Sequence, residues 1–281
     1  MRNRGRVWLI AGAAVLATVA LVAGVIIGLR LGNRKTASEP PVSEALAVDF
    51  TRLQTQLHAV AGIAVSAVGD GHAPMTLGQW RSGPAWSTIK VPLIIAALRE
   101  EQPPKVTDAM VAAITESDTA AAESIWASMG DPVTAAHKVD DVLRETGDPT
   151  TVQSQRVRPE FSAFGQTDWS LTDQVQFLSI AVCDKTNEPV FALMGEVQSD
   201  QRWGIGTLAD SRFKGGWGPL PTGSYLVRQM GVLVGPAGMI AVALAAQPDS
   251  GKFDDGIAAL TAMARWLTDH LSALPAGHCD S

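Results

Sequence analysis

The order of periodic segments predicts an α+β fold. It is a mainly antiparallel sheet flanked by N- and C-terminal helices, with an inserted all-helical lobe and one N-terminal transmembrane helix. Three observations carry this prediction. Residues 7–29 contain no charged side chain. Strand-like runs bounded by Gly/Pro turns occur near both ends of the remaining chain. Between them, residues 106–198 read mostly with helical spacing.

Taken in order, residues 7–29 supply the roughly 20 apolar positions needed to span a bilayer. Arg2, Arg4 and Arg6 precede the run, and Arg30, Arg34 and Lys35 follow it. Basic residues flank both ends, but three arginines within the first six residues favour a cytoplasmic N-terminus. The run exceeds a signal-peptide core of about 7–15 residues, which favours an uncleaved signal anchor, with a cleaved signal peptide as the alternative. The expected organisation is therefore a cytoplasmic N-terminus and anchor over residues 1–35, a polar linker over 36–43 and one domain over 44–281. The protein is placed in the cell membrane as a single-pass chain, its C-terminal domain extracytoplasmic.

Charge narrows the partners. Six of the 22 basic residues flank the apolar run, leaving 16 against 28 acidic residues, a net −12 over residues 36–281. A domain this acidic offers no basic footprint for a phosphate backbone, so no nucleic-acid partner is expected. The five histidines are scattered and the two cysteines are far apart, so neither a metal nor a cofactor is expected. Cys183 and Cys279 either pair in an oxidising compartment, or Cys183 is simply a buried position in an apolar helix over 177–183.

Leu46, Phe50, Leu53 and Leu57 recur at helical spacing. Residues 62–69 read as a strand ended by Gly69-Asp70-Gly71, and a second short strand is expected before Ser82-Gly83-Pro84. A helix follows Ser87-Thr88, with Pro92 pinning its N-terminus nearby. Helices are predicted over 108–114, 120–129, 133–146 and 171–183. The non-periodic residues 147–170 form a loop long enough to suggest a functional role. Strand periodicity returns over 211–217, then over 225–234 and 239–246 around Gly235-Pro236-Ala237-Gly238, and a helix over 255–274 closes the chain.

Ser87 and Lys90 are three residues apart and share one face of a helix turn. A hydroxyl beside an amine at a helix N-terminus suits an activated serine nucleophile. The same spacing also suits a surface serine beside a snorkelling lysine, and Ser211 with Lys214 repeats it.

Three stretches in this order resemble the serine β-lactamase and penicillin-binding protein superfamily. Ser87-Thr88-Ile89-Lys90 matches S-x-x-K, the stretch around Ser117-Asp118-Thr119 is similar to the class A S-D-N loop, and Lys214-Gly215-Gly216 stands in the place of K-T-G. The resemblance covers about residues 43–274. It implies that Ser87 attacks a carbonyl with Lys90 as base, and that Ser117 relays a proton to the leaving amine. It further implies that Lys214, Gly216, Trp217 and Thr119 contact substrate, with the backbone N–H groups of Ser87 and Trp217 forming an oxyanion hole. The implied substrate is a small β-lactam or a D-alanyl cell-wall peptide.

The chain departs from the pattern at four points. Thr119 replaces an asparagine and Gly215 a threonine, and the separation of Ser87 from Ser117 is about half that of class A enzymes, which implies a more open site. In the long loop, Arg156-Val157-Arg158-Pro159-Glu160-Phe161 resembles the class A Ω-loop R-x-E-P-E-L. That register places Arg158 where the deacylating glutamate belongs, and a guanidinium cannot act as that base. Glu160 substitutes only if the loop is shifted by two residues. Two readings follow: a membrane-anchored serine acyl-enzyme hydrolase with slow β-lactam turnover, or a catalytically silent module that keeps the fold.

Overall fold

The computed structural model describes residues 42–69 and 73–279. The anticipated membrane anchor over 7–29 and the linker over 36–41 lie outside the described residues. Among the described residues, no helix is long and apolar enough to cross a membrane.

The elements are α1 (Val42–Leu57), β1 (Ala59–Ala67), β2 (Met75–Gly78), a 3-10 turn (Trp86–Ile89), α2 (Lys90–Glu100), α3 (Asp108–Val111) with a π turn (Ala112–Glu116), α4 (Thr119–Ser128) and α5 (Pro132–Glu145). After a long loop come α6 (Leu171–Ala181), α7 (Glu188–Leu193), β3 (Arg212–Pro219), β4 (Tyr225–Gly235), β5 (Gly238–Pro248) and α8 (Phe253–His270). The five strands form one antiparallel sheet in the order β2-β1-β5-β4-β3, so β3 is an edge strand.

Two apolar layers sandwich the sheet. Phe50 and Leu46 of α1 and Leu260, Met263 and Leu267 of α8 cover one face, over Ile63, Val65, Val242 and Leu244. The other face packs Ala64, Ala243 and Met230 against α2 and α6 through Ile94, Leu93, Val175 and Leu178. The alternation of strand side chains between two buried faces explains why β1, β4 and β5 are apolar nearly throughout.

For the described residues the predicted α+β class and element order hold, with local shifts. Strand β1 begins at Ala59 rather than Gly62, and Val42 and Ser43, expected in the linker, belong to α1. Helix α2 begins at Lys90, because the turn holding Ser87 is 3-10. The hairpin β4–β5 closes at Gly235 opposite Gly238, whose φ of +134° suits only glycine. Cys183 and Cys279 form a disulfide, with Cα atoms 5.2 Å apart. It fastens the C-terminal tail beside α6, where Met239 and Gly277 exchange backbone hydrogen bonds of 2.8 and 3.0 Å.

A buried arginine ties the lobes together. Arg228, in β4, is fully buried and donates from Nη1 to the carbonyls of Gly83 and Pro84. From Nη2 it donates to Trp169 O and Gln174 Oε1. All four terminal N–H groups are thus used, and the guanidinium also lies 5.0 Å from the Trp80 ring. The segment it holds pairs like a strand with the end of the long loop: Ala85 N donates to Thr167 O at 2.7 Å and Trp169 N to Gly83 O at 3.0 Å. Replacing Arg228 by alanine leaves these buried acceptors without donors, each worth roughly 1–3 kcal/mol. We expect Arg228→Ala to cost about 3 kcal/mol or more, read from the urea midpoint at unchanged m-value, whereas a loss below about 1 kcal/mol would contradict this role.

Candidate active site

The 3-10 turn Trp86–Ile89 sits between the sheet and the helical lobe, and its geometry is built from below. Thr88, fully buried, donates to Ala85 O at 2.6 Å and accepts from Gln174 Nε2 at 2.9 Å. Gly216 of β3 presses on the same turn from the sheet side. A Cβ there would lie 2.9 Å from Ala85 O, Ser87 N and Thr88 N, so only glycine permits this approach. Trp86, immediately before Ser87, has φ +49°, a left-handed conformation that a bulky residue adopts only when its surroundings enforce it.

Ser117 is placed just as deliberately. The π turn Ala112–Glu116 ends on Ser117 at φ +58°, ψ +28°, a kind of helix irregularity frequent at functional sites. Asp118 then caps α4, accepting from Ala121 N at 2.9 Å. Gln201 Nε2 donates to Glu116 O at 2.8 Å, and Gln198 N to Thr115 O at 3.0 Å, fixing the loop from the α7–β3 connection.

Two buried amines converge on that serine. Lys90 Nζ donates to Ser117 O at 2.6 Å and approaches Thr119 Oγ1 at 3.4 Å. Lys214 Nζ donates to Ser117 Oγ at 2.8 Å and to Gly215 O at 2.9 Å. Neither forms an ion pair with a carboxylate among the described residues. Burial pushes the Lys90 pKa down to about 8, although Asp118 and Glu123 partly offset the shift. Complete burial, reinforced by the neighbouring Lys90 charge, holds Lys214 well below the usual lysine range.

Ser87 is half-buried and lines a cavity of about 240 Å³ with Trp86, Lys90, Thr119, Glu160, Phe161, Ser162, Phe164, Gly165 and Trp217. The structure thus brings together Ser87, Lys90, Thr119, Trp217 and Glu160 around one cavity, with Ser117, Lys214 and Gly216 directly behind them. A larger cleft of about 370 Å³ between the end of α1 and α8, lined by His58, Ser250 and Asp255, is remote from these groups in the fold. There Ser250 is engaged as a donor to Asp255 Oδ2 at 2.5 Å. The second serine–lysine spacing has no such role, because Ser211 is buried and donates to Leu208 O.

Arg158 does not line the cavity. Its Nη1 donates to Pro219 O at the end of β3, and its Nε and Nη2 donate to Glu160 Oε1 at 3.3 and 3.1 Å. The expectation of a solvated Arg158–Glu160 pair therefore accounts for only part of the contacts. Glu160 does reach the cavity wall, and its Oε1 accepts from Arg158. Phe161 was named only as the end of the Ω-loop-like stretch, and Ser162, Phe164 and Gly165 carry no sequence signal beyond lying in a non-periodic loop. Arg228 did leave a signal, as a charged residue inside a largely apolar strand.

The site thus holds a serine beside a buried amine of lowered pKa, and a second serine that accepts from Lys90 through its backbone carbonyl and from Lys214 through its hydroxyl, against a glycine-containing edge strand. The architecture around it is the serine β-lactamase-like fold. Solved structures similar to the chain include the TLA-3 extended-spectrum β-lactamase, with 14% identity and a TM-score of 0.66 over 82% of this chain and 99% of that one. Others are class A β-lactamases from Mycobacterium abscessus (14%, 0.63, 81% and 99%) and from Bacteroides cellulosilyticus DSM 14838 (15%, 0.65, 84% and 100%). No family model matches the chain, and neither does any curated protein.

The Lys90 shift has a signed consequence. An unfolded chain keeps this amine protonated up to about 10.5, whereas the folded chain releases the proton near 8. The unfolded form therefore binds more protons between those values, and stability contributed here rises with pH across that window. We expect Lys90→Met to flatten the stability profile between pH 8 and 10.5, measured by urea unfolding of the two proteins in parallel; identical slopes would contradict the assigned shift.

Proposed function

We propose that the protein is a membrane-anchored, extracytoplasmic serine acyl-enzyme that opens β-lactam or D-alanyl peptide amide bonds and releases the product slowly. The observation that carries this reading is the convergence of Lys90 and Lys214 on Ser117 beside Ser87, four residues from three separate segments of the chain. The apolar run over residues 7–29 supports the anchor, and the Cys183–Cys279 disulfide fits an oxidising compartment outside the cytoplasm.

In this mechanism Ser87 Oγ attacks the amide carbonyl carbon while its proton passes to the Lys90 amine. With a pKa near 8, an appreciable share of that amine is free base close to neutral pH. The tetrahedral oxyanion is held by the backbone N–H groups of Ser87 and Trp217, brought together by the close seating of Gly216. The carbon–nitrogen bond then breaks, and Ser117 Oγ hands a proton to the departing nitrogen, with Lys214 resupplying the hydroxyl. The result is a Ser87 ester. Hydrolysis of that ester needs a base for water, and the loop offers Arg158, which stays protonated, and Glu160, whose carboxylate is paired with Arg158 at 3.1 Å.

A second reading, a silent module that retains the fold, draws on Thr119, Gly215 and the engaged Glu160. The two separate in one experiment. Benzylpenicillin is expected to add its full mass to the protein, to leave Ser87→Ala unmodified and to react about 100-fold or more slowly with Lys90→Ala, all by intact-mass spectrometry. Absence of any adduct on the wild-type protein would establish the silent module instead.

A further inference from the structure

We infer that Arg158 straps the long loop to the edge strand across one end of the Ser87 cavity and so sets the bulk of the acyl group the site admits. This rests on the acyl-transfer reading above and specifies which substrates it favours.

The contacts form a closed circuit around the cavity end. From the loop, the Arg158 guanidinium reaches Pro219 O at the end of β3, a residue 61 positions away in sequence. The same guanidinium holds Glu160 at 3.1 Å and lies 4.3 Å over the Phe161 ring. Phe161 meets Trp86 edge-on, with centroids 5.0 Å apart and planes at 75°. Trp86 in turn lies flat against Gly218, where a Cβ would fall 2.6 Å from its ring. Loop, nucleophile turn and edge strand are therefore linked through one side chain. Glu160, Phe161, Trp86 and Trp217 line this cavity of about 240 Å³, below the roughly 300–1,000 Å³ typical of pockets for drug-sized ligands.

Arginine suits this position because its planar fork holds a carbonyl and a carboxylate at once while its face covers a ring, which a lysine ammonium cannot reproduce. The loop has independent support. Arg158 N donates to Gln166 Oε1 at 2.8 Å, and Gln166 Nε2 reaches the carbonyls of Arg158, Phe161 and Ser162 at 3.1–3.3 Å. Removing the Arg158 side chain therefore cuts the tie to β3 and leaves the loop's own framework in place.

An acyl group extending from a carbonyl at Ser87 toward this end meets the strap. Donors without a side chain fit inside it, and bulky donors must displace it. The test compares Ser87 labelling of the full-length protein by sulbactam, a penam sulfone with no acylamino substituent, and by piperacillin, which carries a large one. Arg158→Ala and the charge-preserving Arg158→Lys are expected to raise the piperacillin-to-sulbactam rate ratio by about tenfold or more. Labelling by both probes at an unchanged ratio in the variants would overturn the strap. If no form of the protein is labelled by either probe, the acyl-transfer reading fails and the size limit falls with it, an outcome distinct from an unchanged ratio.

Discussion

Two lysine amines, both buried and neither paired with a carboxylate among the described residues, meet at Ser117, and the rest of the site is arranged to hold them there. Burial makes an ammonium costly at both positions, and at Lys214 the neighbouring Lys90 charge adds to the shift toward the neutral amine. The structure offsets part of that cost with neutral oxygens: the Ser117 carbonyl and hydroxyl and the Gly215 carbonyl. Because the three contributing segments are the start of α2, the loop before α4 and the edge strand β3, the meeting point exists only when sheet and helical lobe are docked.

The docking is maintained by polar groups beneath the cavity more than by the cavity lining. Arg228 grips the chain just before the nucleophile turn, and Gln174 links that arginine to Thr88 within the turn. Glycines at 216 and 218 let β3 and the Trp86 ring approach without a side chain between them. Preorganisation of this kind, with supporting hydrogen bonds fixing the residues that face the substrate, is what serine acyl transfer demands of its scaffold. Left-handed backbone at Trp86 and Ser117 shows where that framework overrides local preference.

Much of this was legible in the chain itself. Helical spacing located α1, α2, α4 to α6 and α8 to within a few residues, and the Gly235-Pro236-Ala237-Gly238 turn between two apolar runs located the β4–β5 hairpin. Ser87, Lys90, Ser117 and Lys214 were legible as a set through their order and local setting. Contacts between distant segments were not. Arg228 satisfying Gly83 and Pro84 spans about 145 positions, and nothing in the periodicity of either segment encodes it. The Cys183–Cys279 bond depended on the tail folding back along β5. Arg158 was legible as a missing base, but its tie to Pro219 was invisible.

Attack and release thus separate physically in the proposed mechanism. For attack, a half-buried Ser87 stands beside two buried amines that are hydrogen-bonded to Ser117, whereas the loop that would position a hydrolytic water carries a cation and a carboxylate paired with it. The most direct measurement is a pre-steady-state burst with a chromogenic cephalosporin in excess over the purified protein. The account predicts a burst of about one equivalent per chain followed by a far slower steady rate. Fast linear turnover without a burst, or no ring opening beyond that of Ser87→Ala, would contradict it.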